Sequence, residues 1–411
     1  MRVDIMDAVR NIRDFNAGRD PERLQMKYKA MRADPFVFLR GTCHLFYDRL
    51  PQLARLDTEP LAWVCGDLHL ENFGSFKGDN RLVYFDINDF DEAALAPASW
   101  DLVRFLTSLL VGADSLSASR ADALSLCQGF VDAYAAVLTR GKARWAERDT
   151  TQGLVRDLFD SLQGRQRGDF LDKRTDRNGK QRVLRVDGEK ALPVSDKQRA
   201  KVTEFMQAFA HKQPDPDFYK PLDVARRIAG TGSLGMERYV ILVKGKGSPD
   251  GNCLLDLKRA PRSSLVPHLL VAQPLWKTDA HRVVELQQRL QAVPMAFLHP
   301  VMLGKHAGVL RELQPSEDRV SLGRSRQTLG DLQKLVAAMG TLVASAQLRG
   351  SGRQGSAIAD ELIAFGQRNK WKRTLLDAAR DSETQLRRDW KAYCKGFDDN
   401  AFKPKPAPLS H

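Results

Sequence analysis

Residues 65–74 read C-G-D-L-H-L-E-N-F-G, and residues 85–92 read F-D-I-N-D-F-D-E. The first string crowds Asp67, His69, Glu71 and Asn72 into one short loop; the second sets Asp86, Asp89 and Asp91 just beyond it. L-A-W-V-C at 61–65 and R-L-V-Y-F at 81–85 are short apolar runs that read as strands, with G-D-N at 78–80 as turn chemistry between them. The acids and the amide therefore sit where strands end. That is where a fold can converge polar groups on a ligand.

Outward from this stretch, residues 1–55 read as helical, with Asp20-Pro21 as a helix start and Pro35 opening the next segment. Helical spacing covers about 99–140 in two segments, then 153–162, 281–290 and 329–348, with further helices to about Cys394. Residues 238–244, 252–258, 295–303 and 307–313 read as strands, and Asn178-Gly179 as the tip of a hairpin. The fold class expected is α+β. Its expected parts are a helical catalytic lobe (1–220), a small β-rich nucleotide-binding lobe (221–318), C-terminal helices packing back on the helical lobe (319–400) and a disordered tail (401–411). The hairpin near 170–187 and the helices at 118–162 are expected to border an acceptor cleft.

Lys plus Arg number 64 against 51 Asp plus Glu, an excess of 13 that suits a phosphorylated ligand, nucleic acid, an anionic membrane or simply a basic surface. The basic stretch at 164–202 lacks interleaved aromatic residues, which makes nucleic acid a weak candidate partner. Cys43, Cys65, Cys127, Cys253 and Cys394 are scattered, with no C-x-x-C pair, so neither a disulfide framework nor a zinc site is expected. No signal peptide, membrane span or membrane partner is expected, and a reducing cytoplasm fits these features.

Phosphoryl transfer asks for a carboxylate beside the attacking hydroxyl and hard oxygen ligands for Mg²⁺. Asp67, Asn72 and Asp86 can supply them: Asp67 as base, Asn72 and Asp86 on the metal, with Asp89 and Asp91 as candidates for a further metal contact. Taken alone, the D-x4-N spacing fits a turn in which Asp67 and Asn72 cap backbone groups. His69 suits a hydrogen-bonding brace better than a general base. Far downstream, G-T-G-S-L-G at 230–235 fits G-x-G-x-x-G. As a dinucleotide fingerprint it should open a helix, and Asp256 even lies at the right distance. A β-branched run follows instead, so the string reads as a loop whose backbone N–H groups at Gly230, Gly232, Ser233 and Gly235 cover phosphates. Lys258 ends the second strand after this loop as a phosphate clamp, and Glu285 on the next helix could hold it. V-L-R-E-L-Q-P at 309–315 would then meet a base through its backbone.

G-D-L-H-L-E-N at 66–72 resembles the H-G-D-L-H-P-x-N loop of aminoglycoside and choline phosphotransferases. V-Y-F-D at 83–86 is similar to their V-I-D strand end, and P-A-S-W-D-L-V-R-F at 97–105 to their D-P-x-x-D-L-A helix start. The resemblance implies a protein-kinase-like fold, ATP and Mg²⁺ as cofactors, and Asp101 as the acid that braces the catalytic loop. Cys65 replaces the histidine of that loop. The motifs stand in permuted order, with the glycine loop after the catalytic loop, as circular permutation allows when termini lie close together. D-P-F-V-F-L-R-G at 34–41, the two strings quoted first, and G-T-G-S-L-G-M-E-R-Y together resemble the bacterial domain of unknown function 2252 family over about residues 20–350. The R-G pair in the first of these makes Arg40 a candidate phosphate or substrate contact, or an ion-pair partner. The expected activity is an ATP- and Mg²⁺-dependent phosphotransferase with an unknown small-molecule or protein acceptor. The alternatives are AMP transfer from the same pocket and a non-catalytic nucleotide-binding pseudokinase scaffold.

Overall fold

The computed structural model describes residues 5–53, 59–315, 318–320, 322 and 327–403. Four helices come first: α1 (Ile5–Phe15), α2 (Pro21–Ala33), α3 (Pro35–Gly41) and α4 (Cys43–Leu53). Asp20 caps α2 by accepting the Arg23 N–H, and Asp34 caps α3 by accepting those of Phe36 and Val37, each followed by proline at the first helical position. Next come β1 (Leu61–Val64), β2 (Phe73–Lys77), β3 (Val83–Ile87) and β4 (Ala94–Pro97), paired antiparallel as β1 with β4 and β2 with β3. Helices α5 (Ser99–Val111), α6 (Arg120–Arg140) and α7 (Gly153–Leu162) complete this half. β2 and β4, which the sequence reading passed over, are F-G-S-F-K and A-L-A-P. Neither has the alternation or β-branched content that marks a strand; pairing with β3 and β1 makes them strands.

The second body is an antiparallel six-stranded sheet. A short helix, α8 (Arg167–Asp172), and the hairpin β5 (Thr175–Asn178)–β6 (Gln181–Leu184) lead into β7 (Ala191–Leu192) and α9 (Asp196–Ala210). Then come β8 (Pro221–Arg227), β9 (Arg238–Val243), β10 (Cys253–Arg259), α10 (Asp279–Leu290), β11 (Leu298–Leu303) and β12 (His306–Glu312). The strand order is β11-β12-β10-β9-β8-β7. Two apolar clusters cover the sheet. Tyr239, Ile241, Leu255 and Leu257 pack with Val202 and Met206 of α9 on one face. Val240, Leu242, Leu254 and Leu313 pack with Leu171, Leu184 and Ala191 on the other. β7 and α9 therefore belong to the sheet although both precede residue 221. The β5–β6 hairpin docks on the sheet; residues 170–187 do not line the cavity that holds Asp67, although Phe170 and Lys173 line a second one. β8 was missed because its charges mask it: Arg226 pairs with Asp20 and Glu22, and Arg227 with Asp256.

The last helices, α11 (Leu329–Gly350), α12 (Ala359–Gln367) and α13 (Lys370–Asp398), return to the first half. Gly340 of α11 lies so close to α6 that a Cβ would come 2.5 Å from the Phe130 carbonyl oxygen. Residues from α1, α4, α5, α6, α10 and α11 share one large apolar core. Phe402 is buried against Tyr28 and Tyr393, so order extends past the expected start of the tail at 401, while residues 404–411 lie outside the described residues. No helix among the described residues is long and apolar enough to cross a membrane.

One buried charge cluster holds the sheet's inner face. Asp256 is fully buried and accepts from Arg238 at 2.9 and 2.6 Å, Arg227 at 2.5 Å and Arg311 at 3.4 Å. Desolvation opposes its charge, but Arg227, Arg238 and Arg311 outweigh that and hold the carboxyl well below the usual range. A carboxyl depressed in the folded state stabilises the fold fully above its unfolded pKa, and that contribution is lost as pH falls toward the folded value. Asp256→Asn is expected to lower stability by about 3–5 kcal/mol at neutral pH, because it leaves guanidinium groups buried without their countercharge. In urea unfolding, the difference from the parent chain should shrink on acidification below about pH 4.

Candidate functional site

The loop after β1 is fixed before any ligand arrives. Gly66 has φ +83°, and a Cβ there would fall 2.2 Å from the Glu92 carbonyl oxygen, so only glycine fits. Asp101, in the first turn of α5, accepts the N–H groups of Cys65 at 2.8 Å and Gly66 at 2.9 Å. The Gly66 carbonyl accepts the Tyr47 hydroxyl at 2.7 Å. Asp67 then projects toward open space with one oxygen held by Arg104, at 2.7 Å from Nε and 2.5 Å from Nη2. Arg104 is itself fully buried and also donates to the Leu39 carbonyl at 3.0 Å. His69 accepts the Glu71 N–H on Nδ1 at 3.1 Å. Burial, then Arg40 and Arg104, push its pKa well down, so it is a neutral brace.

Asn72 ties this loop to the acidic run. Its Nδ2 donates to the carbonyls of Asp67 at 3.1 Å and Asp89 at 3.2 Å, and its backbone carbonyl accepts the Asn88 N–H at 3.0 Å. Its Oδ1 is buried without a hydrogen-bond partner. Beyond β3, Asp89 and Asp91 both reach Lys258, which pairs closely with Asp91 and stands 3.4 Å from Asp89. Desolvation works to raise the Asp89 carboxyl, but Lys258, Arg311 and Arg238 outweigh it and hold the pKa at about 2. Asp91 is shifted upward by desolvation and by Asp89 beside it.

Two expected positions fall elsewhere. Asp86 lies within β3 and is 1% exposed. It accepts from Ile87 N–H at 2.9 Å, Ala292 N–H at 3.1 Å and Arg349 at 3.1 Å, and it does not line the cleft. Strand alternation explains this: Asp86 is still inside the ladder and faces α11, whereas Asp89 and Asp91 lie past the strand end. Glu285 is exposed on α10 and does not meet Lys258. Helical phase turns Arg282 inward instead, where it donates to the carbonyls of Ala93 at 2.7 Å and of Asp91 and Pro261 at 2.9 Å each.

The glycine loop is brought to the same place. Gly230 and Gly235 have φ +71° and +83°, and Gly235 is hemmed in by Arg19 and Asp20. The Gly235 carbonyl accepts the Asp20 N–H at 2.8 Å, and the Gly232 carbonyl accepts from Arg19 at 2.8 Å and Lys27 at 3.2 Å. Ser233 accepts from Arg238 at 3.4 Å. A single cavity of about 680 Å³ is lined by Asp67, His69, Asn72, Asp89, Asp91, Gly230, Gly232, Ser233, Gly235 and Lys258, with Arg40 and Arg319 on its wall. Arg40 pairs with Glu71 at 2.5 Å, and Arg319 stands 3.7 Å from the same carboxylate.

No group of three or more His, Cys, Asp or Glu side chains among the described residues is arranged to hold a metal by itself. The unpartnered Asn72 Oδ1, in a residue that lines the same cavity as Asp89, does fit Mg²⁺, which takes one or two protein oxygens and completes its shell from phosphates and water. Lys27, Arg104 and Arg282 were missed in the sequence because a basic residue in a helix looks like a solvated face, and Arg19 because a basic residue in a connection does too. The sign available in the sequence that Asp89 and Asp91, rather than Asp86, reach the cleft was their place beyond the end of the apolar run at 81–85. Asp101→Ala is expected to cost about 2–4 kcal/mol in chemical unfolding, since it strands two buried N–H groups. Asp101→Asn, which can still accept one of them, should cost less.

No curated protein and no solved structure matches this chain. The family model described as "Uncharacterized protein conserved in bacteria (DUF2252)" matches residues 19–396, a span that includes every cavity-lining motif above. The chain therefore belongs to the DUF2252 family.

Proposed function

We propose that this protein is a Mg²⁺- and ATP-dependent phosphotransferase built on a circularly permuted kinase-like fold. The observation that carries the reading is the convergence of Asp67, Asn72 and Asp89 with Gly230, Gly232, Gly235 and Lys258 around one cavity, although the two sets are far apart in sequence. Further support comes from the sheet. The glycine loop joins β8 to β9, and the lysine lies on the strand after them, next to β9, as the kinase arrangement asks.

Each residue has a role that its surroundings support. Glycine-loop N–H groups and Lys258 hold the transferred phosphate and its neighbour. Asp67, oriented by Arg104, accepts the proton of the acceptor hydroxyl as its oxygen bonds to the γ-phosphorus and ADP departs. Asn72 Oδ1 and Asp89 would hold Mg²⁺, and Asp91 pairs with Lys258. When bound, the metal neutralises charge on the β- and γ-oxygens. Asp86 keeps a structural role, binding β3 to Ala292 and α11.

The test is nucleotide binding followed by isotope transfer. ATP with Mg²⁺ should raise the melting temperature, since a ligand that binds only the folded state stabilises it, and no rise at millimolar ATP would sink the reading. Lys258→Met should abolish the rise. Asp67→Asn should keep it yet lower turnover by about 10²–10³, the order usual for one electrostatic group. Label should leave on the γ-phosphate; transfer of the α-phosphate would replace the assignment with AMP transfer.

A further inference from the structure

We infer that this site recognises its donor through phosphates alone and does not read the base, an inference that rests on the phosphotransferase reading. A base needs an apolar slot next to the phosphate clamp. Strand alternation puts Asp256 on the same face as Lys258, one step along β10 toward the 312–315 segment. That step is filled by Asp256 with Arg227, Arg238 and Arg311, with Arg311 directly opposite Asp256 in the sheet register. The next step is Leu254 beside Leu313, and it is covered by Leu171 and Leu184 of the α8–β6 segment. Along β10, among the described residues, no apolar slot is left next to Lys258 for a purine ring.

The cavity itself offers no substitute. Apart from histidines, two aromatic rings line it among the described residues, Phe15 and Tyr239. Phe15 is 39% exposed, but one face stacks on His44 at 3.6 Å between ring centroids, and the Arg19 guanidinium lies 5.0 Å from its centre. Tyr239 is 2% exposed, with its ring in the core on the far face of the sheet. The 312–315 segment opens instead on a separate cavity of about 430 Å³, lined by Phe76, Phe170 and Phe297, which shares no lining residue with the first. A nucleotide reaching both would have to cross the Asp256 cluster. In contrast, the phosphate cavity is rich in guanidinium groups. Among the described residues, Arg259 and Arg262 line it with no carboxylate within salt-bridge distance, and Arg19 donates to backbone carbonyls.

The measurement is calorimetric titration of the full chain, in Mg²⁺, with ATP, GTP, CTP and inorganic tripolyphosphate. All four should bind with dissociation constants within about tenfold of one another, and Lys258→Met should weaken all four together. A preference for one base, or for any nucleotide over tripolyphosphate, beyond about tenfold overturns the inference and leaves the phosphotransferase reading standing. Binding of none of them overturns that reading and this inference together.

Discussion

Everything at the site depends on one lysine crossing from the sheet to the acidic loop. Lys258, near the end of β10, is 5% exposed and meets Asp91 and Asp89 beyond β3. An ammonium group so enclosed is tolerable only beside countercharge, and two carboxylates so close together are tolerable only beside a cation. Each side therefore fixes the other. The pairing sets how the sheet lies against the strands at 61–97 and draws the glycine loop, on the neighbouring β8–β9 connection, over the same cavity.

Around that contact the fold spends buried cations on backbone. Arg104 holds Asp67 and the Leu39 carbonyl; Arg282 gathers carbonyls of Asp91, Ala93 and Pro261; Arg19 and Lys27 hold the glycine-loop carbonyls. Irregular loops carry backbone groups that no helix or sheet satisfies, and they must find partners when the loop is buried. Long basic side chains from neighbouring helices and from the α1–α2 connection reach them while their aliphatic stems pack. The result is a set of loops with fixed shape around the cavity.

Much of this was legible in the residues. The Asp20-Pro21 and Asp34-Pro35 helix starts, the Asn178-Gly179 hairpin, the strand carrying Lys258 and the long helix α11 all follow from local pattern. So did the membership of Asp67, Asn72, Asp89 and the three glycines in one group of candidates, which the structure brings to one cavity. Asp86 and Glu285 misled because residue type and spacing do not report direction. One residue of strand phase, or part of a helical turn, decides whether a carboxylate faces a cleft, a core arginine or water.

The sequence by itself determined the local elements, the acid–amide loop, the glycine loop and the family to which they belong, because caps, turns and periodicity act over a few residues. Only the tertiary structure decided which acids face the lysine, that β7 and α9 join the sheet, and that Asp256 and the hairpin occupy its inner face. Those outcomes depend on pairing groups far apart in the chain. Burial makes such pairings strong, and nothing in the neighbouring residues encodes them.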